Sequence, residues 1–196
     1  DSQLDKLSDM FIYTEIEREA CHNNLAPTTS SSCHLAIGDA IAMTLQKING
    51  FSPSDFSKYH PSGNLGKKLS LKLNYLIDNN RIPRVNLSST FFQIIDEISS
   101  NMYGATAVID SEKIIGIITD GDIRRIIEKK HNINRVLASD FMNKNPKVLS
   151  EDTLAFDALV LMKKNNISQV LVTDKNHKYK GIVHILDIIK QGISYE

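Results

Sequence analysis

Apolar and β-branched residues in the last two-thirds of the chain follow a pattern that occurs twice. In each copy, apolar positions three or four residues apart predict a helix, and a short β-branched segment ending in aspartate predicts a strand. A polar turn, a second strand and a closing helix follow. The apolar helix positions are Phe91, Ile94, Ile95 and Ile98 in the first copy and Phe156, Leu159, Val160 and Met162 in the second; the first strands are 106–110 and 170–174.

The two copies also share a motif at the second strand and closing helix. Gly116 and Gly181 lie 65 residues apart, and Asp122 and Asp187 have the same separation. Each copy has only roughly 60 residues, so its half-buried sheet needs the other copy to close a core. We therefore expect a tandem α+β module, with one copy in residues 70–132 and the other in residues 133–196.

Residues 1–69 lie outside this repeat. Apolar positions from Leu35 to Ile48 keep a helical spacing, and Gly50 is placed to end that helix. Hydroxyl side chains at 28–32 offer caps for its first turn. Residues 10–14 are predicted to form a short strand.

A second, shorter helix is predicted after residue 52. Ser52-Pro53-Ser54-Asp55 has the features of a capping box with proline in the first turn. The helix should end near Tyr59, because a residue that precedes proline prefers extended backbone. Residues 60–66 are predicted to be turn-rich. Two helices and one strand are too little for a self-contained α/β domain.

Composition excludes several classes of function. The 23 basic and 23 acidic residues cancel, which leaves no electrostatic footprint for nucleic acid or an anionic membrane. No apolar segment approaches the roughly 20 residues that span a bilayer. Two cysteines are too few for a disulfide framework, and the first nine residues are too polar for a signal peptide. We expect a soluble, cytoplasmic protein, and the missing initiator methionine suggests a piece of a longer chain.

A series of motifs runs along the whole chain. It comprises residues 17–21 (EREAC), 24–31 (NLAPTTSS), 38–40 (GDA), 60–69 (HPSGNLGKKL) and 119–125 (TDGDIRR). Together they resemble the D-arabinose-5-phosphate isomerases, which are sugar isomerase (SIS) proteins followed by two CBS motifs, named after cystathionine β-synthase. The resemblance implies that residues 1–69 are the C-terminal portion of a SIS-type parallel α/β sandwich. Ser62 departs from the second glycine that this family usually has in its His-Pro-Gly-Gly segment.

The resemblance also implies a reaction and two site residues. The family interconverts D-arabinose 5-phosphate and D-ribulose 5-phosphate, which requires a base to move a proton between adjacent carbons and an acid–base group at the two oxygens. Glu19 matches a catalytic glutamate of the family and His60 its catalytic histidine. Modest burial is expected to bring both groups towards neutrality. No metal or organic cofactor is required.

Without the resemblance, both residues have simpler interpretations. Glu19 ends an alternation with Glu15 and Glu17 that is typical of a solvated strand edge, and His60 before a proline is typical of a surface turn. The family's phosphate-binding loop, its catalytic lysine and a further glutamate have no counterpart here. We therefore expect the 196-residue chain to be inactive by itself.

Two Cys-His pairs, Cys21-His22 and Cys33-His34, suggest a zinc site. Structural zinc sites usually separate paired ligands by two to four residues, and adjacent ligands strain a tetrahedral geometry. The second pair also falls in the predicted helix. No metal site is therefore predicted.

The CBS resemblance implies a nucleotide-binding position at the junction of strand and helix. Thr119 and Asp122 have the Thr-x-x-Asp spacing that binds ribose in CBS motifs, and the second copy has His184 and Asp187. The alternative is a helix N-cap, which needs the same residue types. Arg124 and Arg125 are candidates for a phosphate contact.

Two functions from different classes follow. The first is an isomerase supplying the precursor of 3-deoxy-D-manno-octulosonate (Kdo) for lipopolysaccharide or capsule, with a CBS pair that regulates or assembles it. Its partners are a sugar phosphate, a nucleotide or nucleotide-sugar effector and, since SIS domains pair and CBS pairs stack, three further copies in a homotetramer. The second is a non-catalytic nucleotide sensor. A SIS-type transcriptional regulator is disfavoured, because no basic helix-turn-helix region is visible.

Overall fold

A computed structural model of the chain describes residues 2–61, 63–129 and 132–195. The chain forms two units, Asp1–Ser52 and Pro53–Glu196. Ser62, where the sequence departs from the family motif, lies outside the described residues. The predicted boundaries at 69/70 and 132/133 remain predictions.

The first unit contains helices α1 (Gln3–Leu7) and α2 (Thr29–Ile48). The prediction of α2 is confirmed: Asn49 is its C-cap, and Gly50 follows with a φ of +61°, a conformation that glycine adopts without strain. The predicted strand at 10–14 is wrong, because these described residues form no regular secondary structure. An extended segment becomes a strand only beside another strand, and the described part of this unit contains none.

The second unit begins with helices α3 (Pro53–Tyr59) and α4 (Asn64–Ser70). The bounds of α3 agree with the prediction. The turn-rich prediction for 60–66 is wrong from Asn64 onward, where α4 begins, and so is the expectation of only two helices in residues 1–69. Gly63 and Gly66 suggested a turn in the sequence, but Gly63 is the N-cap of α4 and Gly66 is a buried residue inside it.

The first repeat forms a three-stranded sheet flanked by helices. Its strand order is β1-β2-β3, with β1 parallel and β3 antiparallel to β2. The elements are β1 (Arg84–Val85), α5 (Phe91–Asn101), β2 (Ala105–Asp110), β3 (Lys113–Thr119) and α6 (Asp120–Glu128).

The second repeat has the same topology, β4-β5-β6. Its elements are α7 (Ala138–Phe141), β4 (Val148–Ser150), α8 (Ala155–Asn165), β5 (Gln169–Thr173), β6 (Tyr179–His184) and α9 (Ile185–Lys190). The predicted order of helix, strand, turn, strand and helix is confirmed in both copies. The parallel strands β1 and β4 escaped prediction, because two or three residues are too few to show a period.

The two sheets share a buried apolar cluster, as expected for copies that need each other. It combines residues of both repeats: Ala105, Ala107, Ile117, Leu171 and Ile182, with Tyr179 packed against it. Such burial removes apolar surface from water and is the main stabilising term for the pair.

Each repeat also receives the segment that leads into the other. Leu73, which precedes β1 of the first repeat, is fully buried in the core of the second, and its N–H donates to the oxygen of Thr153 at 2.9 Å. Ala138 is likewise fully buried in the core of the first repeat. The two repeats are therefore interlocked by packing that their order in sequence does not reveal.

Candidate functional site

Glu19 lies in the first unit and closes the N-terminus of α2. Its Oε2 accepts hydrogen bonds from the N–H of Thr28 at 2.8 Å and of Ser30 at 3.2 Å. The Ser30 hydroxyl donates to Oε1, and the Thr28 hydroxyl lies 3.3 Å from Oε2. A carboxylate in this position satisfies N–H groups that have no partner within the helix.

This contact set overturns two expectations. Instead of a hydroxyl from residues 28–32, the distant Glu19 caps α2, while Thr28 Oγ1 accepts from the N–H of Ala20 at 2.9 Å. The hydrogen bonds from Ser30 and Thr28 lower the pKa of Glu19 from 4.5 to about 2. The expected shift towards neutrality is thus wrong, since donors favour the charged form and outweigh burial.

Cys21 lies beside Glu19 in the sequence and also accepts main-chain hydrogen bonds. The N–H of Leu25 lies 3.0 Å and that of Ala26 3.1 Å from its Sγ. These bonds, that of Ala26 first, lower the pKa of Cys21. Within residues 2–61, 63–129 and 132–195, no three His, Cys, Asp or Glu side chains are grouped to hold a metal ion.

His60 lies in the second unit, directly after α3, and is exposed. Its N–H donates to the oxygen of Phe56 at 3.1 Å, and the two rings lie 4.8 Å apart at 40°. The histidine is therefore displayed on a turn but oriented by an aromatic neighbour. Glu19 and His60 belong to different units.

Gly66 explains how the His60 turn packs on α4. A Cβ added at Gly66 would lie 1.8 Å from the main-chain oxygen of His60, far inside van der Waals contact. Only glycine allows this close approach. The glycine in the motif therefore fixes the path of the chain from His60 into α4.

Thr119 and Asp122 lie at the junction of β3 and α6, as predicted, and bond to each other. Asp122 Oδ2 accepts from the N–H of Thr119 at 2.9 Å and from its hydroxyl at 2.7 Å. Asp122 also pairs with Arg125. This is a capping box. In the structure both residues therefore have the helix-capping role that was the alternative to nucleotide binding.

His184 and Asp187 repeat this arrangement at the start of α9. Asp187 Oδ2 accepts from the N–H of His184 at 3.2 Å, and His184 Nδ1 accepts from the N–H of Leu186 at 3.1 Å. The imidazole thus takes the place of the hydroxyl that the second copy lacks.

Residues of the first repeat face Asp187, and sequence reasoning missed them. The Arg81 guanidinium lies 5.9 Å from the centroid of the Tyr103 ring and bonds to Asp78 at 2.9 Å. Burial, and then the charge of Asp187, raises the pKa of Tyr103. The polar turn at 78–81 before Pro83 was the available signal, since a turn that leads into a strand commonly carries functional groups.

A groove of about 420 Å³ lies between the hairpin turns of the two repeats. Its lining includes Ser111, Lys113 and His177, and a salt bridge of 2.8 Å joins Lys178 to Glu112. Because β3 and β6 begin at these turns, the groove lies at the opposite end of the sheets from Thr119 and His184.

The second unit contains two interlocked copies of one strand-and-helix topology. In each copy, a capped helix follows the last strand. The CBS domain family matches residues 77–129 and 138–193. This chain belongs to that family. The predicted tandem CBS fold is thereby confirmed.

Solved CBS-pair structures are similar to the chain in fold. CBSX2 from Arabidopsis thaliana has a TM-score of 0.55 and 16% identity, covering 63% of this chain and 94% of its own. PAE2072 from Pyrobaculum aerophilum, complexed with AMP, has a TM-score of 0.55 and 18% identity over 60% of this chain and 89% of its own. Protein MJ0100, in complex with 5′-methylthioadenosine and S-adenosyl-L-methionine, has a TM-score of 0.54 and 22% identity over 61% of this chain and 97% of its own.

Curated relatives confirm the resemblance to the arabinose-5-phosphate isomerases. Arabinose 5-phosphate isomerase KpsF of Escherichia coli is 39% identical over 95% of this chain and 57% of its own length. Arabinose 5-phosphate isomerase KdsD of Francisella tularensis is 40% identical over 96% of this chain and 58% of its own. The chain thus spans somewhat more than half the length of these relatives.

The helices of the described residues also bear on membrane association. None of them combines the length and the apolar character needed to cross a bilayer.

Proposed function

We propose that the complete protein is a D-arabinose-5-phosphate isomerase whose CBS pair responds to a nucleotide. The supporting observation is similarity at 39% identity across 95% of the chain to relatives named for that activity, in segments that include Glu19 and His60. A pure sensor would not need these two residues. The alternative, a non-catalytic CBS sensor, predicts nucleotide binding without isomerase activity.

The chemistry of the two residues suggests different roles. With a pKa of about 2, Glu19 is a carboxylate at neutral pH, so it is a hydrogen-bond or proton acceptor and not a proton donor. The donors that lower its pKa also make it a weaker base than an ordinary glutamate. His60 carries an imidazole, the side chain that most often acts as a general acid or base. We assign His60 to proton transfer at the sugar oxygens and Glu19 to the proton exchanged between carbons.

The proposed effector is a nucleotide or nucleotide sugar at the α9 end of the CBS pair. There Asp187 suits the ribose hydroxyls, Arg81 a phosphate and the Tyr103 ring a neighbouring base or sugar. Thr119 and Asp122 at α6 form the corresponding candidate in the first motif. AMP in PAE2072 supports this ligand class.

Assembly and location complete the proposal. We assign the protein to the cytoplasm as a homotetramer of paired SIS domains and stacked CBS pairs. Its product would supply Kdo for lipopolysaccharide or capsule.

Isomerase assays test the catalytic assignment. In the full-length protein, Glu19→Gln and His60→Ala should each lower kcat by roughly 10²-fold, the scale of lost acid–base catalysis. Exposed Glu17→Gln is the matched control and should leave kcat unchanged. We also expect no turnover by residues 1–196 alone. An inactive full-length protein would refute the isomerase assignment, and unchanged kcat in both site variants would remove Glu19 and His60 from the mechanism.

Calorimetry on the 196-residue chain tests the effector. Adenine and cytidine nucleotides and a cytidine nucleotide sugar form the panel. Asp187→Asn keeps an acceptor for the His184 N–H but removes the charge, and should weaken binding roughly tenfold or more. Asp122→Asn tests the first motif in the same way. No binding across the panel, or binding indifferent to both variants, would refute the nucleotide proposal.

A further inference from the structure

Helix α4 is attached to the end of α9 by one specific contact. Lys67 Nζ donates a hydrogen bond to the main-chain oxygen of Gln191 at 2.9 Å, across 124 residues of sequence. Gln191 is the C-cap of α9. The last carbonyl groups of a helix lack partners within it and carry partial negative charge, so an ammonium group is favoured there.

Neighbouring contacts hold α4 to the second CBS motif along its length. Asn64 Oδ1 lies 2.9 Å from the position that a Cβ on Gly192 would occupy, so α4 and the segment after α9 are in close contact. Lys68 Nζ lies 5.3 Å from the centroid of the Phe156 ring. Beyond α4, the N–H of Ala155 donates to the oxygen of Leu71 at 2.7 Å. Helix α4 therefore packs against the second CBS motif.

The residue before Lys67 makes the contact to the His60 turn. Gly66 lies against the His60 oxygen so closely that no side chain fits between them. Consecutive helical residues point about 100° apart. One helical turn of α4 thus contacts the His60 turn through Gly66 and the α9 end through Lys67.

We propose that Lys67 is a positioning residue for His60: by fixing α4 to the Gln191 carbonyl, it holds the His60 turn in place. This inference rests on the proposed catalytic role of His60. It gives the CBS pair a direct physical part in the site, because Gln191, which Lys67 contacts, lies about one helical turn beyond Asp187 in α9.

Three variants of the full-length protein test the proposal. Lys67→Met keeps the alkyl stem but removes the donor, Lys67→Arg restores a donor, and Lys164→Met on α8 is the matched loss of an exposed lysine. Lys67→Met should lower kcat roughly tenfold or more, with KM changed much less, because displacement of a reacting group penalises the transition state. Lys67→Arg should recover most of the loss, and Lys164→Met should match the unsubstituted protein.

Amide hydrogen exchange provides a readout that is independent of turnover. Peptides covering residues 59–66 should exchange about tenfold faster in Lys67→Met, since local opening costs less free energy when an anchor is lost. Peptides covering β5 and β6 should not change. An inactive unsubstituted protein would refute the isomerase proposal, while the exchange rates would still decide whether Lys67 holds the His60 turn. Unchanged exchange, or failure of Lys67→Arg to restore it, would overturn the inference.

Discussion

The phenolic hydroxyl of Tyr179 in β6 donates a hydrogen bond to the main-chain oxygen of Pro83, 2.8 Å away and 96 residues earlier in the chain. The same oxygen accepts from the N–H of Ala107 at 3.2 Å. This bond joins the second CBS motif to the segment that leads into β1 of the first.

Removal of the Tyr179 hydroxyl should loosen this junction. Tyr179→Phe is expected to lower the free energy of unfolding by about 1 kcal/mol, the net worth of one hydrogen bond. The loss stays small because Ala107 still satisfies the Pro83 oxygen. Denaturant unfolding of the 196-residue chain measures it. Tyr75→Phe, at a ring that is 75% exposed, is the control, and equal effects of the two variants would contradict the prediction.

The same tyrosine should contribute to alkaline sensitivity. Burial raises the pKa of Tyr179 above its ordinary value of 10.0. A group whose pKa is raised by folding stabilises the protein fully below the ordinary value, and the contribution is lost as pH rises above it. The stability difference between the unsubstituted chain and Tyr179→Phe should therefore shrink as pH rises above 10. A difference that stays constant to pH 11 would argue against burial as the cause.

The charge state of Glu19 should depend on Ser30. Ser30→Ala removes the largest contribution to the lowered pKa of Glu19, so the titration midpoint should rise from about 2 towards 4.5. Because folding lowers this pKa, the stabilisation of α2 is present above 4.5 and is lost as pH falls towards 2. NMR titration of the carboxyl carbon measures the midpoint. Ser31→Ala is the control, since the Ser31 hydroxyl bonds to Pro27 instead, and identical midpoints in both variants would disprove the Ser30 contact.

One buried hydroxyl in the first CBS motif should be dispensable. Thr106 Oγ1 has no hydrogen-bond partner among the described residues, and the side chain is fully buried. The pairing register places Val170 at the equivalent position: Val108 faces Gly116 and Val172 faces Gly181, so the residues two positions earlier correspond.

Thr106→Val should therefore stabilise the chain by about 1 kcal/mol, because an unpaired buried hydroxyl costs free energy. The reciprocal Val170→Thr should destabilise it by about 1–3 kcal/mol for the same reason. Thermal unfolding compares the two variants. Destabilisation by Thr106→Val would show that its hydroxyl does have a partner.

Gly66→Ala should disrupt the His60 turn. The added methyl group would collide with the His60 oxygen at 1.8 Å, and overpacking against main chain costs about 1–3 kcal/mol or displaces the segment. Gly63→Ala adds the same group 3.9 Å from that oxygen and should have little effect. Melting temperature and amide exchange of residues 59–66 distinguish them. Equal behaviour of the two variants would remove the steric argument.

Long periodic segments are predictable from this sequence because the same pattern occurs in both copies of the repeat. The helices α5 and α8 bury one face, so their apolar residues recur with the period of the helix. The four hairpin strands bury consecutive residues on both faces, so a continuous β-branched segment marks them instead. The capping positions of α6 and α9 are predictable for a similar reason, since residue types that satisfy free N–H groups are few. The strands β1 and β4 and the helix α4 lack such a signal. They are short, and neighbours distant in sequence hold them in place.

The sequence by itself determined the tandem CBS repeat, the helix α2 and the family to which the motifs of Glu19 and His60 point. Those features depend on local pattern, which a single chain records. Only the tertiary structure decided that Glu19 is a strongly acidic helix cap, that Leu73 is buried in the core of the later motif, and that Lys67 reaches Gln191. Hydrogen bonds and burial set these properties, and both depend on which distant groups folding brings together.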